Sequence, residues 1–337
     1  MAGKAGAAER KVAVITGASS GLGLATALQF ADKGYNVVLA ARRMDELQEA
    51  ARECEAKGVE ALPVQTDTSR EADVQSLCDE AVKAFGFIDA WVNNAGVYIA
   101  GKFEDVPTKD MRRMMDTNLF GYIYGSRAAL EQFREQDYGT LINVSSVNAS
   151  APQPYISIYS ASKAAIRALD ESIRMELELD GLLGDINVCT VMPSAIDTNL
   201  YQNSANYTGQ GLQAIEPVYD PSYVARRIVK LAEYPKREKF VGPAGTLMAL
   251  QRTLMPGSYE KRLSRFTDFD LLGPRTAEPT HGNLYEPLAE NRGMHGGWRD
   301  KRIRADRFNM ALGAGLAATA GLVGFGIYLF NKGKARA

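Results

Sequence analysis

"KVAVITGASSGLG" (11–23) joins a short β-branched apolar run to a glycine-rich turn. Residues 11–16 read as a buried strand, and residues 22–33 take up a helical spacing that stops at Gly34. Between a strand and a helix each glycine has a separate task. Gly17 permits a tight turn, Gly21 lets the backbone approach a pyrophosphate, and Gly23 lets helix and sheet pack closely. The N–H groups where the helix begins, around Ser19, Ser20 and Leu22, form an anion site. The letters "GASSG" (17–21) also match G-x-S-x-G, the nucleophile elbow of serine hydrolases. That chemistry needs a histidine base, and the chain has only His281 and His295, both late.

The strand–helix rhythm repeats outward from this turn. "YNVVLAA" (35–41), "VEALPVQTD" (59–67), "IDAWVNN" (88–94), "GTLINVSS" (139–146), "INVCTVMP" (186–193) and "EKFVG" (238–242) read as strands. Helical patterns at 44–58, 70–85, 108–136, 157–180 and 221–233 separate them. Strands that are apolar on both faces belong in a parallel sheet covered by helices on both sides. The fold class is therefore α/β, a Rossmann-type doubly wound sheet of about seven strands spanning residues 10–243. Residues 1–9 read as a disordered leader and 244–309 as a C-terminal extension. Within that extension 245–266 reads as a helix and 267–300 as an irregular connector.

Composition excludes several functions. The 337 residues carry 39 Lys and Arg against 40 Asp and Glu, a formal charge of −1, so no nucleic-acid surface is expected. Cys54, Cys78 and Cys189 form no C-x-x-C pair, and residues 1–280 hold no histidine, so no metal site is expected.

The second strand ends at Ala41, followed by Arg42 and Arg43. A carboxylate there would bond the ribose hydroxyls of NAD, whereas guanidinium groups suit a 2′-phosphate. With a hydroxyl from Ser19, this reading favours NADP(H) over NAD(H). In "YSASK" (159–163) Tyr159 and Lys163 share one helix face. An ammonium about 5 Å from a phenolate is worth roughly 3 kcal/mol at an effective dielectric of 20. That would bring the tyrosine towards neutrality, where it could act as a general acid or base.

Together "TGASSGLG", "NNAG" (93–96), the Asn of "DTNLF" (Asn118), "NVSS" (143–146), "YSASK" and "PSAIDT" (193–198) resemble the short-chain dehydrogenase/reductase family in its compact, single-domain branch. The resemblance covers about residues 10–243. It implies an oxidoreductase interconverting carbonyl and alcohol, with a tetrad of Asn118, Ser146, Tyr159 and Lys163. The serine thirteen positions before the tyrosine is Ser146, not Ser145. In these roles Tyr159 would exchange a proton with the substrate oxygen and Ser146 would hold that oxygen. Lys163 would lower the tyrosine pKa and hold the nicotinamide ribose, and Asn118 would hold a water leading to solvent. Asp67 would contact adenine, and Asn94, Ala95 and Gly96 would line the adenosine side. Pro193, Ile196 and Thr198 would lie at the nicotinamide and pyrophosphate. The family usually has Pro-Gly where this chain has Pro193-Ser194. A rival reading from another class is an NADP(H)-binding sensor or scaffold without turnover.

Residues 199–218 occupy the family's substrate-lid position and mix Leu200, Tyr201, Tyr207 and Leu212 with glycines. No charge clamp is present, so a lipophilic carbonyl or alcohol is expected. "MALGAGLAATAGLVGFGIYLF" (310–330) contains no charge and would span about 30 Å as a helix. It reads as a C-terminal transmembrane anchor followed by a basic tail (331–337). Lys301, Arg302, Arg304 and Arg307 upstream outnumber Lys332, Lys334 and Arg336 downstream, which places the catalytic domain on the cytoplasmic side. Gly313, Ala317 and Gly321 share one face, as in packing transmembrane helices, and a homo-oligomer is expected.

Overall fold

The computed structural model describes residues 10–299. The first sheet strands are β1 (Val12–Thr16), β2 (Asn36–Ala41), β3 (Ala61–Gln65) and β4 (Ala90–Asn93). A short β5 (Ile99–Ala100) precedes β6 (Gly139–Val144) and β7 (Ile186–Pro193). Two short strands, β8 (Ala205–Asn206) and β9 (Gln210–Leu212), come before β10 (Glu238–Val241). Seven strands form one sheet in the order β10-β7-β6-β4-β1-β2-β3, and every pairing in it is parallel. The chain leaves β3 at one edge and returns to place β4 beside β1. This reversal opens a crevice at the carboxyl ends of the strands.

Alternation along each strand explains the two helical layers. Ala13 and Ile15 of β1, Val37 and Leu39 of β2 and Val92 of β4 face one core. Helices α1 (Gly21–Asp32), α2 (Met44–Glu55) and α7 (Pro221–Glu233) cover it, through residues such as Phe30, Leu47 and Ile228. Val12, Val14, Val38 and Trp91 face the other core. It is covered by α3 (Glu71–Phe85), α5 (Gly121–Gln136) and α6 (Ser157–Leu179), through residues such as Leu77, Phe133 and Leu177. A side-chain period of two divides each strand between the cores, so a one-residue slip in register would exchange every contact.

Three sequence expectations change. The long helix at 108–136 is interrupted: α4 (Thr108–Met115) passes through a π turn at Asp116–Phe120 into α5, and that turn carries Asn118. The helix expected at 245–266 is two helices, α8 (Pro243–Leu254) and α9 (Pro256–Leu271). Met255 between them lies at φ −142°, ψ 59°, because the proline that follows excludes it from the helical region. The connector expected to be irregular over 267–300 starts with the end of α9. It continues as β11 (Leu272–Thr276), which pairs antiparallel with β9. Among the described residues no helix is long and apolar enough to cross a membrane. The span expected at 310–330, its basic flanks, the tail at 331–337 and the leader at 1–9 lie outside the described residues.

A buried polar network ties α6 to the sheet beneath the site. Asn93 Nδ2 donates to Asn143 Oδ1 (2.8 Å), and Asn143 Nδ2 donates to Asp170 Oδ1 (2.5 Å). Thr190 Oγ1 donates to Asp170 Oδ2 (2.6 Å). Asp170 is fully buried. Burial outweighs these donors and raises its carboxyl from 3.8 to about 7. The folded chain therefore binds a proton between about pH 4 and 7 that the unfolded chain has released. Stability contributed by this group is present below about pH 4 and is lost as pH rises through about 7. The gap corresponds to about 4 kcal/mol as an upper limit. Asp170→Asn should flatten the fall in stability between pH 4 and 7, measured by urea unfolding; the same slope in both proteins would contradict this account.

Candidate active site

Because the sheet is parallel, the ends of β1, β4, β6 and β7 open on one edge, and the residues singled out above collect there. Gly17 has φ +67°, and a β-carbon on it would lie 2.9 Å from Ala95 Cα. A β-carbon on Gly23 would lie 2.0 Å from the Gly17 carbonyl oxygen. Thr16 Oγ1 accepts the N–H groups of Asn94 (2.9 Å) and Ala95 (3.1 Å), and Asn94 Nδ2 donates to Thr16 O (3.0 Å). The turn after β1 and the loop after β4 are thus laced together. Gly21 faces Thr198 across the turn, 3.3 Å from where its β-carbon would be.

The tetrad positions converge from three elements. Ser146 follows β6, and Tyr159 and Lys163 lie one turn apart on α6. Ser145 donates to the Lys163 carbonyl (2.8 Å) and so anchors the strand end to α6. Ser146 is left on the side of Tyr159, and its Oγ donates to Asn148 Oδ1 (3.1 Å). Its Oγ also accepts the Asn148 N–H (3.1 Å). Both ends of the Asn118 amide are engaged with Val97: Oδ1 accepts its N–H and Nδ2 donates to its carbonyl, each at 2.8 Å. The side chain thus pins the loop after β4. Gly96 lies beneath, its would-be β-carbon 3.5 Å from Asn118 Oδ1 and 3.8 Å from Lys163 Nζ.

The electrostatics correct one expectation. Lys163 does not bond the Tyr159 hydroxyl; its Nζ donates to Tyr122 OH (3.2 Å) and to Val144 O (2.9 Å). Nζ stands 5.8 Å from the Tyr159 ring centroid. Burial lowers the Lys163 ammonium to about 7. Burial also pushes the Tyr159 phenol up to about 12, outweighing the opposing influence of the neighbouring Ser146. The expected lowering rests on a charged lysine, and in this state desolvation weakens that charge before it can act.

The crevice fits a dinucleotide. Glycines stand where a side chain would collide with the turn. At the end of β7, in the family's usual glycine position, Ser194 Oγ is buried without a hydrogen-bond partner among the described residues. Asp67 does not point freely at an adenine: it accepts from Ser69 N (3.0 Å), Ser69 Oγ (2.7 Å) and Arg113 Nη2 (3.0 Å). Arg42 donates to the carbonyls of Asn283 (2.9 Å) and Tyr285 (3.0 Å), and Arg43 to that of Leu288. Ile196 bridges Tyr219, and the Thr198 carbonyl accepts the Trp298 indole N–H (3.0 Å). Neither histidine is placed as a base for Ser19. His281 Nδ1 bonds Asp110 (2.7 Å), and His295 pairs with Asp220 (3.6 Å). Among the described residues no group of three or more His, Cys, Asp or Glu could hold a metal ion.

Sequence reasoning missed segment 281–298, which lies along this crevice. A signal was present. Leu284, Leu288, Met294 and Trp298 are large apolar residues in a mostly polar, glycine-rich run, and Leu284 and Trp298 are buried.

The model of the short chain dehydrogenase family matches residues 11–208. An uncharacterized oxidoreductase of Bacillus subtilis, YxnA, is 35% identical over 318 residues, covering 93% of this chain and 89% of that one. Coverage that wide includes segment 281–298. The Listeria monocytogenes oxidoreductase Lmo0432 is 34% identical over 242 residues, 70% of this chain and 97% of that one. Among solved structures, a Burkholderia phymatum short chain dehydrogenase/reductase in complex with NAD superposes with a TM-score of 0.68 at 28% identity. It covers 73% of this chain and 93% of that one. A Thermococcus sibiricus alcohol dehydrogenase complexed with 5-hydroxy-NADP gives 0.61, also at 28%, over 69% and 95%. The chain is an oxidoreductase of the short-chain dehydrogenase family.

Proposed function

We propose that the chain is an NADP(H)-dependent reductase interconverting a lipophilic ketone or aldehyde and its alcohol. The observation that carries this is Tyr159, beside Ser146 and one helical turn from Lys163, on the sheet edge that bears the glycine turn. The nicotinamide supplies the hydride when bound. Around it Ser146 holds the substrate oxygen by a hydrogen bond, and Tyr159 gives that oxygen its proton. A phenol held at about 12 is fully protonated near neutrality, which suits reduction; alcohol oxidation needs the phenolate and therefore a higher pH. With the cofactor bound, Lys163 would hold the nicotinamide ribose, whose hydroxyls would favour its charged form. Arg42 and Arg43 supply the guanidinium groups for a 2′-phosphate.

The lipophilic substrate follows from the wall beside Tyr159. Tyr98 lies against it (ring centroids 4.7 Å apart), with Ile156, Leu200, Tyr201, Leu212 and Leu272 in the same cluster. None of these side chains carries a charge to clamp an anion. A lipophilic substrate also agrees with a membrane-anchored enzyme, in which 310–330 holds the catalytic domain at the cytoplasmic face as a homo-oligomer.

Tyr159→Phe should leave NADPH affinity within about twofold and lower kcat by roughly 10²–10⁴, the usual worth of a positioned general acid. Retained turnover would remove the tyrosine from the chemistry. Arg42→Ala should reduce the NADPH-to-NADH affinity ratio by roughly tenfold or more, the loss of a charge-assisted hydrogen bond or two. An unchanged ratio in equilibrium titrations would remove Arg42 from 2′-phosphate recognition.

A further inference from the structure

We infer that segment 281–298 is an internal competitor for the dinucleotide, a strap whose backbone carbonyls hold the donors that the phosphates need. The inference rests on the reading above of the glycine turn and of Arg42 and Arg43 as the phosphate-binding groups. Each of those groups is bonded to the strap. Gly21 N–H donates to Gly293 O (3.0 Å). Arg42 donates to Asn283 O (2.9 Å) and Tyr285 O (3.0 Å), and Arg43 to Leu288 O. A carbonyl oxygen is a partial negative charge and takes donors that a phosphate oxygen would otherwise take. The order matters as well. The strap runs from the arginines after β2, past the glycine turn at Gly293, to Asp197 and Thr198 after β7. That is the course expected of the cofactor, from 2′-phosphate through pyrophosphate to nicotinamide.

The strap is held by specific contacts along its length. Arg292 pairs with Asp45 (3.2 Å) and Glu46 (3.1 Å), and its carbonyl accepts from Asn199 Nδ2 (3.1 Å). Gly296 N–H donates to Asp197 O (3.2 Å), and Trp298 N–H donates to Asp197 Oδ1 (2.7 Å). The Trp298 ring stands edge-on to Tyr201 at 5.8 Å. Yet between Leu284 and Trp298, both buried, no residue of the strap is buried. Such a stretch opens at low cost, because little apolar surface is exposed when it lifts. Gly293, at φ +88° with open space around its would-be β-carbon, offers a hinge. A strap closed most of the time lowers apparent cofactor affinity by the fraction of time that it is open.

Ser222 Oγ and Met294 Sδ lie 3.8 Å apart, one on α7 and one on the strap. Ser222→Cys/Met294→Cys would allow the strap to be locked. Cys54, Cys78 and Cys189 are buried, and burial pushes their thiols up to about 12, 12 and 11, so the engineered pair oxidises selectively. NADPH and NADH binding would be followed by nucleotide fluorescence, in stopped flow and at equilibrium, on the oxidised and reduced protein. The inference expects NADPH association at least tenfold slower in the locked form, restored by reduction. Equal association and affinity in the two forms, with the crosslink confirmed by mass, would overturn it. Arg292→Ala/Trp298→Ala, with folding checked by circular dichroism, provides a second route that needs no crosslink. It should associate faster and bind NADPH more tightly, severalfold or more. Weaker binding would show instead that the strap clasps the cofactor, and unchanged binding that it plays no part; either result overturns the inference. If the reduced pair and the loosened variant bind neither nucleotide, the dinucleotide reading itself fails.

Discussion

The closest approach of backbone in the site is between Gly23 and Gly17, where a β-carbon would come within 2.0 Å of a carbonyl oxygen. Helix α1 can lie this near the end of β1 only because neither position bears a side chain. From that approach follow the start of α1 facing the crevice, the lacing of Asn94 and Ala95 to Thr16, and the place of Gly96 beneath Asn118 and Lys163. The parallel sheet then delivers Ser146, Tyr159 and Ser194 to the same edge. One steric constraint at the first turn thus aligns that turn with Tyr159, 136 residues after Gly23 in the sequence.

The fold was legible because hydrophobic period and turn chemistry agreed. Val12 and Val14 against Ala13 and Ile15 already announce a strand buried on both faces, and the sheet divides them between two cores. The nearness of Tyr159 and Lys163 was legible through a spacing that a helix turns into a shared face. Pro256 could have marked the break at Met255, since the residue before a proline avoids the helical region. The π turn around Asn118 leaves no comparable mark, because its sequence continues the helical pattern on both sides. The strap was missed for a different reason. Its bonds to Arg42, Arg43 and the Gly21 N–H all run through backbone carbonyls, and carbonyl positions have no letter in a sequence.

The charges at the site follow burial more than pairing. An isolated helix would place an ammonium close to a phenol and lower its pKa. In the folded chain both groups are desolvated, Lys163 turns to Tyr122 OH and Val144 O, and the phenol stays protonated. A phenol in this state has a proton to give and cannot take one. The strap adds a second feature, since Arg42, Arg43 and the Gly21 N–H are already bonded to its carbonyls. Both features describe a site whose chemistry waits on the arrival of the dinucleotide.

The most direct test of this account is transfer of label. NADPH deuterated at nicotinamide C4, prepared separately on each face, would be incubated with the protein and a panel of lipophilic ketones and aldehydes, and products examined by mass spectrometry. The account predicts an alcohol carrying one deuterium from one of the two labelled faces, absent when Tyr159 is replaced by Phe. Bound NADPH with no labelled alcohol from any carbonyl, or equal label from the Tyr159→Phe protein, would contradict it.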